Sequence, residues 1–267
     1  MRELAGHTDK KKKKKKSKKK MNRLTKITLI LFLIILIIVL IGASGVFSVK
    51  EIEIKKEGNK IANEEIHSLS KITKGMNLFG FNSSEAEELI KKNPYIEFVE
   101  IDRKLNGKVI INVKERVAKY KINYAGGYIL LDSAGYVLEI VSQDIEMPVL
   151  LGTSTDLSSL TVGVSENTVT RLNEDDLLKL EVVNNIMEIS KNNDISGLIS
   201  RIDITDDKNY ILYLDSEQKI VYLGDCSELN TRILCMKEIV KKETGIKGEI
   251  FINGDLNINK PRFRESV

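Results

Sequence analysis

The sequence predicts an α+β protein: one N-terminal transmembrane helix, a small domain of β-α-α-β-β order, and a larger mixed α+β domain that ends in edge strands. The transmembrane helix is indicated by Ile27–Phe47, a run of 21 residues without a charge. As a helix this run is about 30 Å long, the thickness of a bilayer core. The two domains are indicated by short segments of alternating apolar and polar residues, interspersed with apolar stripes at helical spacing. The predicted boundaries are 1–26 for a basic tail, 27–47 for the span, 48–117 for the small domain and 118–267 for the larger one.

The basic tail orients the predicted span. Residues 1–26 hold 13 Lys and Arg against two carboxylates, a net charge of +11, whereas the rest of the chain carries about −7. Because short segments rich in Lys and Arg remain in the cytoplasm, we expect a cytoplasmic amino terminus and extracytoplasmic domains. The residues assigned to this topological role are Lys18, Lys19, Lys20, Arg23 and Lys26.

Two alternatives for this region stay open. The lysine tract also suits contact with anionic lipid head groups, but no aromatic residue interleaves it to stack on bases, so nucleic acid is not an expected partner. The small residues Gly42-Ala43-Ser44 resemble a signal-peptide cleavage site. The full length of the apolar run favours a retained anchor.

Local signals predict each element of the small domain. A helix is expected after Asn63 as N-cap, and a second helix begins at the capping-box pair Ser84 and Glu87. Asn106-Gly107 is a strong hairpin signal. The predicted strands are Val49–Ile54, Phe98–Arg103 and Val109–Val113. The side chains expected to point inward from the last two are Val99, Ile101, Val109, Ile111 and Val113.

The larger domain shows the same alternation of strands and helices. Asp175–Lys191 is predicted as a helix, and a last helix is expected after Ser227. The expected inward side chains of the first helix are Leu178, Val182, Ile186 and Ile189, and those of the last are Leu229, Ile233, Met236 and Val240. The predicted strands are Tyr120–Tyr124, Tyr128–Leu131, Ile199–Thr205, Tyr210–Asp215, Lys219–Leu223, Ile250–Asn253 and Arg262–Arg264.

Residues that support catalysis or cofactor binding are scarce. The predicted exported part has one histidine, His67, expected to be an exposed helix residue, and two cysteines, Cys226 and Cys235, expected to be unbridged. Asp206-Asp207 falls in a predicted turn, where a solvated carboxylate is commoner than one that serves acid–base chemistry. We therefore expect no enzyme activity, no metal, no cofactor and no small-molecule substrate.

Six segments together resemble the FtsQ/DivIB family of bacterial cell-division proteins, whose first exported domain is a POTRA domain. The segments are VKEIEIKKEGN from Val49, GMNLF from Gly75, NPYIEFVEIDRKL from Asn93, VIINVKERVA from Val109, LDSAGYVL from Leu131 and MPVLLG from Met147. Asn106 stands where similar proteins usually have proline, and Asn-Gly makes an equivalent hairpin. Thr153–Asn173 matches no part of the family pattern.

The resemblance implies a non-enzymatic scaffold at the division septum. Such proteins bind the single-span coiled-coil proteins FtsL and FtsB/DivIC and regulate septal peptidoglycan synthesis. The alternative function is a POTRA-bearing factor that binds unfolded exported polypeptides.

The resemblance also implies a partner site at the end of the chain, Gly248 to Glu265. Pro261 is tolerated chiefly on edge strands, so this strand is expected at an edge that a partner strand can extend. The residues expected to bind the partner are Ile258, Lys260, Arg262, Phe263 and Arg264. We expect Phe263 to bury in the partner and the two arginines to meet its acidic side chains. A frayed terminal strand with solvated arginines is the alternative.

Overall fold

The part of the chain that the structure describes begins with a helix. The computed structural model describes residues 22–43, 45, 47–165, 169–225 and 227–266. Its first helix, α1 (Arg23–Ala43), includes Arg23 and Lys26, and the Leu and Ile side chains described between Leu24 and Leu40 are largely exposed. Among the described residues no helix has both the length and the hydropathy required of a membrane span. The predicted topology residues Lys18, Lys19 and Lys20 lie outside the described residues.

The small domain has the predicted β-α-α-β-β order. Its elements are β1 (Glu51–Glu57), α2 (Asn63–Ser70), α3 (Ser83–Lys91), β2 (Ile96–Lys104) and β3 (Lys108–Glu115). Within the described residues these strands form one sheet in the order β1-β3-β2, with β1 parallel and β2 antiparallel to β3. The Asn106-Gly107 hairpin is confirmed, and Gly107 has φ +90°. All five side chains predicted to point inward from β2 and β3 are buried.

Both predicted helix caps of this domain are wrong by one or two residues. The N-cap of α2 is Ala62, without a side-chain hydrogen bond, and Asn63 is already helical. The N-cap of α3 is Asn82, whose side chain accepts from the Ser84 N–H. Glu87 accepts from the backbone N–H of Ile101 at 2.9 Å and thereby ties α3 to β2. A tertiary bond has replaced the local one that the capping-box pattern predicts.

The two ends of the first sheet make different contacts. At one end, the turn before Gly107 meets the segment that follows α1, and the N–H of Lys50 donates to the Gly107 carbonyl at 2.8 Å. At the other end, Lys60 makes an ion pair of 2.7 Å with Glu139 of the larger domain. Arg116 likewise pairs with Asp132 at 2.8 Å, and both side chains are largely buried. The two domains therefore meet at the sheet end opposite α1.

The larger domain forms a second sheet of nine strands within the described residues. Its order is β12-β11-β10-β9-β8-β7-β4-β5-β6. The strands are β4 (Tyr120–Tyr124), β5 (Gly127–Leu131), β6 (Val137–Val141), β7 (Val149–Leu151), β8 (Arg201–Asp203), β9 (Tyr210–Leu214), β10 (Lys219–Gly224), β11 (Gly248–Phe251) and β12 (Arg262–Glu265). The seven predicted strands are confirmed to within two residues at each end, and β6 and β7 are additional. The pairs β4–β7, β7–β8 and β10–β11 are parallel and the others antiparallel.

Three helices accompany the second sheet in the part of the chain that the structure describes. They are α4 (Leu157–Ser165), α5 (Glu174–Asn192) and α6 (Leu229–Lys242), with single 3-10 turns at Ser196–Leu198 and Asp215–Glu217. The first of these lies in the stretch Thr153–Asn173, to which the sequence analysis assigns no element. The last helix buries Ile233, Met236 and Val240 as predicted. Its N-cap is Glu228, and the hydroxyl of Ser227 donates to Asp225 rather than capping the helix.

The buried face of α5 is the predicted one for Ile186, which is fully buried, and for Val182 and Ile189, which pack against the core. Leu178 is wrong, because it is 67% exposed, and Asp176, Leu180, Val183 and Ser190 are also buried. The Asp176 carboxylate accepts backbone and hydroxyl hydrogen bonds from Ser154 and Thr155, four bonds of 2.5–3.0 Å. Burial raises the pKa of this carboxyl, but these bonds outweigh the burial and hold the pKa below its ordinary value. The buried carboxylate therefore ties the start of α5 to Ser154 and Thr155, a contact that an apolar pattern alone cannot show.

Candidate functional site

The last strand, β12, is an edge strand as predicted. Among the described residues it pairs with β11 alone, with Phe263 opposite Ile250 and Arg264 opposite Glu249. The N–H of Ser266 donates to the carbonyl of Lys247 at 3.0 Å. Because hydrogen-bonding direction alternates along an antiparallel strand, the N–H groups of Phe263 and Glu265 point to the open edge. Those two residues therefore present backbone donors and acceptors to an added strand.

One face of the second sheet carries aromatic rings between arginines. The register places two rows of side chains on this face, across five adjacent strands. We call this surface the aromatic–arginine face and define it by ten residues: Arg201, Tyr213, Ile220, Glu249 and Arg264 in one row, and Asp203, Ile211, Tyr222, Phe251 and Arg262 in the other. The opposite side chains of the same strands, such as Leu212 and Val221, form the core.

Phe251 is the centre of a stack on this face. Its ring lies parallel to that of Tyr222, with centroids 4.9 Å apart and planes inclined by 4°. The guanidinium groups of Arg262 and Arg264 each lie 5.0 Å from the Phe251 ring centre. Such cation–π contacts hold arginines beside rings while leaving N–H donors available. The stack reaches the open edge of the sheet.

An ion pair with Glu249 orients Arg264, one of the two arginines beside Phe251. Arg264 Nε donates to Glu249 Oε2 at 2.9 Å, and the hydroxyl of Tyr222 donates to Glu249 Oε1 at 3.2 Å. The hydrogen bond from Arg264 holds the pKa of Glu249 below its ordinary value. Burial, followed by the bond to Glu249, raises the pKa of Tyr222. Glu249 is therefore anionic and Tyr222 neutral near pH 7, as the hydrogen bonds to Glu249 require.

A second arginine–aromatic pair lies at the far side of the face. The guanidinium of Arg201 lies 4.2 Å from the Tyr213 ring centre and makes two bonds to Asp215, of 2.7 and 3.1 Å. The bond from Arg201 lowers the pKa of Asp215. Oriented aromatic and arginine side chains are the types enriched at protein interfaces. The face suits an amphipathic segment with acidic side chains at its margins.

The predicted partner residues divide between this face and its surroundings. Arg262 and Arg264 lie on the face, whereas Ile258 and Lys260 are exposed in the loop that leads to β12. The orientation assumed for Phe263 is corrected, because the ring points to the other side of the sheet and packs against the core. A Cβ built on Gly248 would lie 2.5 Å from this ring, so the ring covers that glycine. Strand alternation forces this result, since the neighbours of Phe263 both point outward.

Sequence reasoning missed Phe251, Tyr222, Tyr213 and Arg201. Each lies at an outward position of a strand that the sequence predicts correctly. Only the order of strands shows that these positions are neighbours. The available signal was the presence of aromatic residues at the solvent-facing positions of several strands, because those positions are normally polar.

Other residues weighed in the sequence lie away from this surface. His67 is exposed on α2, as predicted. Asp206 lies in a turn, also as predicted, and accepts from the N–H of Lys208 at 2.9 Å. Cys235 is a free, half-buried thiol, and Cys226 lies outside the described residues.

Comparisons with known proteins agree with this architecture. Residues 47–116 match the family described as POTRA domain, FtsQ-type. The cell division protein DivIB of Clostridium acetobutylicum is 31% identical over 188 residues, which cover 69% of this chain and 68% of that protein. DivIB of Clostridium tetani is 40% identical over 93 residues, 35% of either chain. The cell division protein FtsQ of Syntrophotalea carbinolica is 30% identical over 112 residues, 41% of this chain and 39% of that protein.

Proposed function

The chain belongs to the FtsQ/DivIB family of cell-division proteins, and from this premise we propose that it is a non-enzymatic scaffold of the division machinery. It is anchored in the cell membrane by one span, with a cytoplasmic amino terminus and extracytoplasmic domains, and concentrates at the septum. Its partners are coiled-coil proteins of the FtsL and FtsB/DivIC types. Through them it regulates septal peptidoglycan synthesis.

The anchor is supported by the sequence around α1. Ile27–Phe47 is uncharged, and residues 1–26 carry a net charge of +11. Leu29, Phe32 and Leu33 of α1 are each more than half exposed, as expected of side chains that contact lipid. The charge difference across the span favours a cytoplasmic amino terminus.

The observation that carries the scaffold proposal is the open edge of β12 beside the aromatic–arginine face. A partner strand added to β12 satisfies the outward amides of Phe263 and Glu265. Side chains of the same partner then cover the stack around Phe251, and its carboxylates meet Arg262 and Arg264. Backbone pairing supplies general affinity, and the stacked rings supply specificity for an apolar and acidic partner.

Imaging in dividing cells tests this function. A fluorescent fusion of the wild-type protein is expected to form a ring at the division plane. The double variant Tyr222→Ala, Phe251→Ala is expected to stay in the membrane but lose the ring. Phe98→Ala, which removes an exposed aromatic ring from the first sheet, is the matched control and is expected to keep it. A wild-type signal that is uniform throughout the cell cycle would contradict the proposal.

A further inference from the structure

Two exposed apolar side chains lie at the α1 end of the small domain. Phe79 is 57% exposed, and Leu105, at the tip of the β2–β3 hairpin, is 72% exposed. The Phe79 ring contacts that of Phe47 edge to face, with centroids 5.4 Å apart. Phe47 is also the last residue of the predicted span, and the first charge after it is Lys50. The apolar run of the chain therefore continues into an apolar surface on the folded domain.

Backbone hydrogen bonds hold the two loops that bear these side chains against the segment that follows α1. The N–H of Leu78 donates to the Phe47 carbonyl at 2.7 Å. The N–H of Val49 donates to the Met76 carbonyl at 2.8 Å. The hairpin is held in the same way, because the Gly107 carbonyl accepts from Lys50. The loop that bears Phe79 and the hairpin that bears Leu105 are thus both fixed to residues 47–50.

Chain length limits how far this end can lie from the membrane. Four residue steps separate Ala43, where α1 ends, from Phe47. A fully extended chain of four residues spans at most about 14 Å. If α1 is anchored in the bilayer, Phe47 lies at most this far from the end of the span, and the Phe79 ring that contacts it and the hairpin bound to Lys50 lie close to the membrane surface.

The charges around these side chains match an anionic surface. Lys50, Lys74 and Lys104 are exposed residues that adjoin the two loops in sequence. Lysines beside apolar side chains are typical of surfaces that lie in a membrane interface. Each lysine near the surface adds attraction to anionic lipids.

We propose that the small domain rests on the membrane through this end, with Phe79 and Leu105 inserted among the lipid head groups. We call it the membrane-facing end, formed by Phe47, Phe79 and Leu105 with Lys50, Lys74 and Lys104. The contact fixes the axis of the first sheet relative to the membrane and directs its opposite end, which holds the larger domain, away from the bilayer. This inference rests on the membrane anchor proposed above.

The absence of tryptophan from the sequence makes a direct test possible. Single variants Phe79→Trp and Leu105→Trp report on the two sites, and Phe98→Trp is the matched control. Phe98 is 50% exposed and lies on the same sheet, about 23 Å along β2 from Leu105. The full chain is reconstituted into vesicles of phosphatidylcholine and phosphatidylglycerol, some with brominated acyl chains.

We expect blue-shifted emission and strong bromine quenching for Phe79→Trp and Leu105→Trp, and water-like, unquenched emission for Phe98→Trp. Flotation of each variant with the vesicles is measured in parallel. Protein that fails to float overturns the anchor and this inference together. Protein that floats while Phe79→Trp and Leu105→Trp match Phe98→Trp overturns only the contact and leaves these side chains for a protein partner.

Discussion

The outward faces of the two sheets differ in chemistry although both sheets bury their other face. On the first sheet the outward positions are mostly charged, and Lys108 lies 2.9 Å from Glu51 and 2.8 Å from Glu53. Hydrogen bonds to Glu53 and Glu51 raise the pKa of Lys108, so this ammonium group stays charged near pH 7. On the second sheet the outward positions near β12 are aromatic rings and arginines.

This difference shows which sheet is suited to bind a partner through its face. The outward face of the first sheet consists mostly of carboxylates and lysines, so a partner that covered it would desolvate many charged groups and gain little apolar area. The rings of Tyr222 and Phe251 present apolar area that gains from being covered. We therefore expect the first sheet to make its contacts through its ends. We expect the second sheet to bind a partner through its aromatic–arginine face and its open edge.

Ile111→Asp is expected to have the largest effect, since it places a carboxylate in the core of the first domain. Ile111 is fully buried. An unpaired buried carboxylate costs several kcal/mol, a large part of a typical total of about 5–15 kcal/mol. Hydrogen exchange in the full-length protein should show residues 48–116 unprotected and the larger domain still protected. Ile110→Thr, on the outward face of the same strand, should keep protection. Equal protection in both variants would show that the assigned inward face of β3 is wrong.

Phe251→Ala is expected to weaken binding of an FtsB/DivIC-type partner by about 2 kcal/mol, because it removes the ring on which both arginines stack. The melting temperature should change little, since the ring is on the outward face. Phe98→Ala on the first sheet should leave affinity unchanged. Calorimetric titration of the full-length proteins in detergent measures the affinities of wild type, Phe251→Ala and Phe98→Ala. Equal affinities for Phe251→Ala and wild type would remove the face from the binding site.

Glu265→Pro tests the open edge separately from the face. Its N–H points away from β11, so proline there removes a donor that only a partner strand would use. We expect a loss of about 1 kcal/mol in affinity, the contribution of one hydrogen bond, with an unchanged melting temperature. Arg264→Pro removes an N–H that faces β11 and should lower the melting temperature. If Glu265→Pro alone destabilises the fold, the assigned hydrogen-bonding direction is reversed.

The smallest expected effect concerns the contact between the domains. Burial raises the pKa of Glu139, but hydrogen bonds from Lys60 and Tyr95 outweigh it and leave the pKa below the ordinary 4.5. A lowered pKa means that the contact stabilises fully above pH 4.5 and is lost as the pH falls through the lower value.

Glu139→Gln should therefore weaken the contact by about 0.2–1 kcal/mol at pH 7, with less difference from wild type in acid. Energy transfer between dyes attached to the two domains measures the change in the contact between them. The control is Glu146→Gln, at an exposed position. An identical pH response in the Glu139→Gln variant and wild type would exclude Glu139 as the titrating group.

The small domain was predictable because its signals are local. Asn106-Gly107 specifies a hairpin, and the alternation of Val109, Ile111 and Val113 specifies which side of β3 is buried. The capping predictions failed where a tertiary contact competed with a local one. Glu87 is the example, because its carboxylate binds the N–H of Ile101 instead of its own helix end.

For the larger domain, the sequence by itself determined most strands, the long helices and the edge position suggested by Pro261. These depend on the spacing of residues within one segment. Only the tertiary structure decided that β10 and β11 lie side by side in parallel, which brings Tyr222 onto Phe251, and that α5 turns its Asp176 inward. Those contacts join residues that are distant in sequence, so their energies depend on strand order and packing that no local pattern contains.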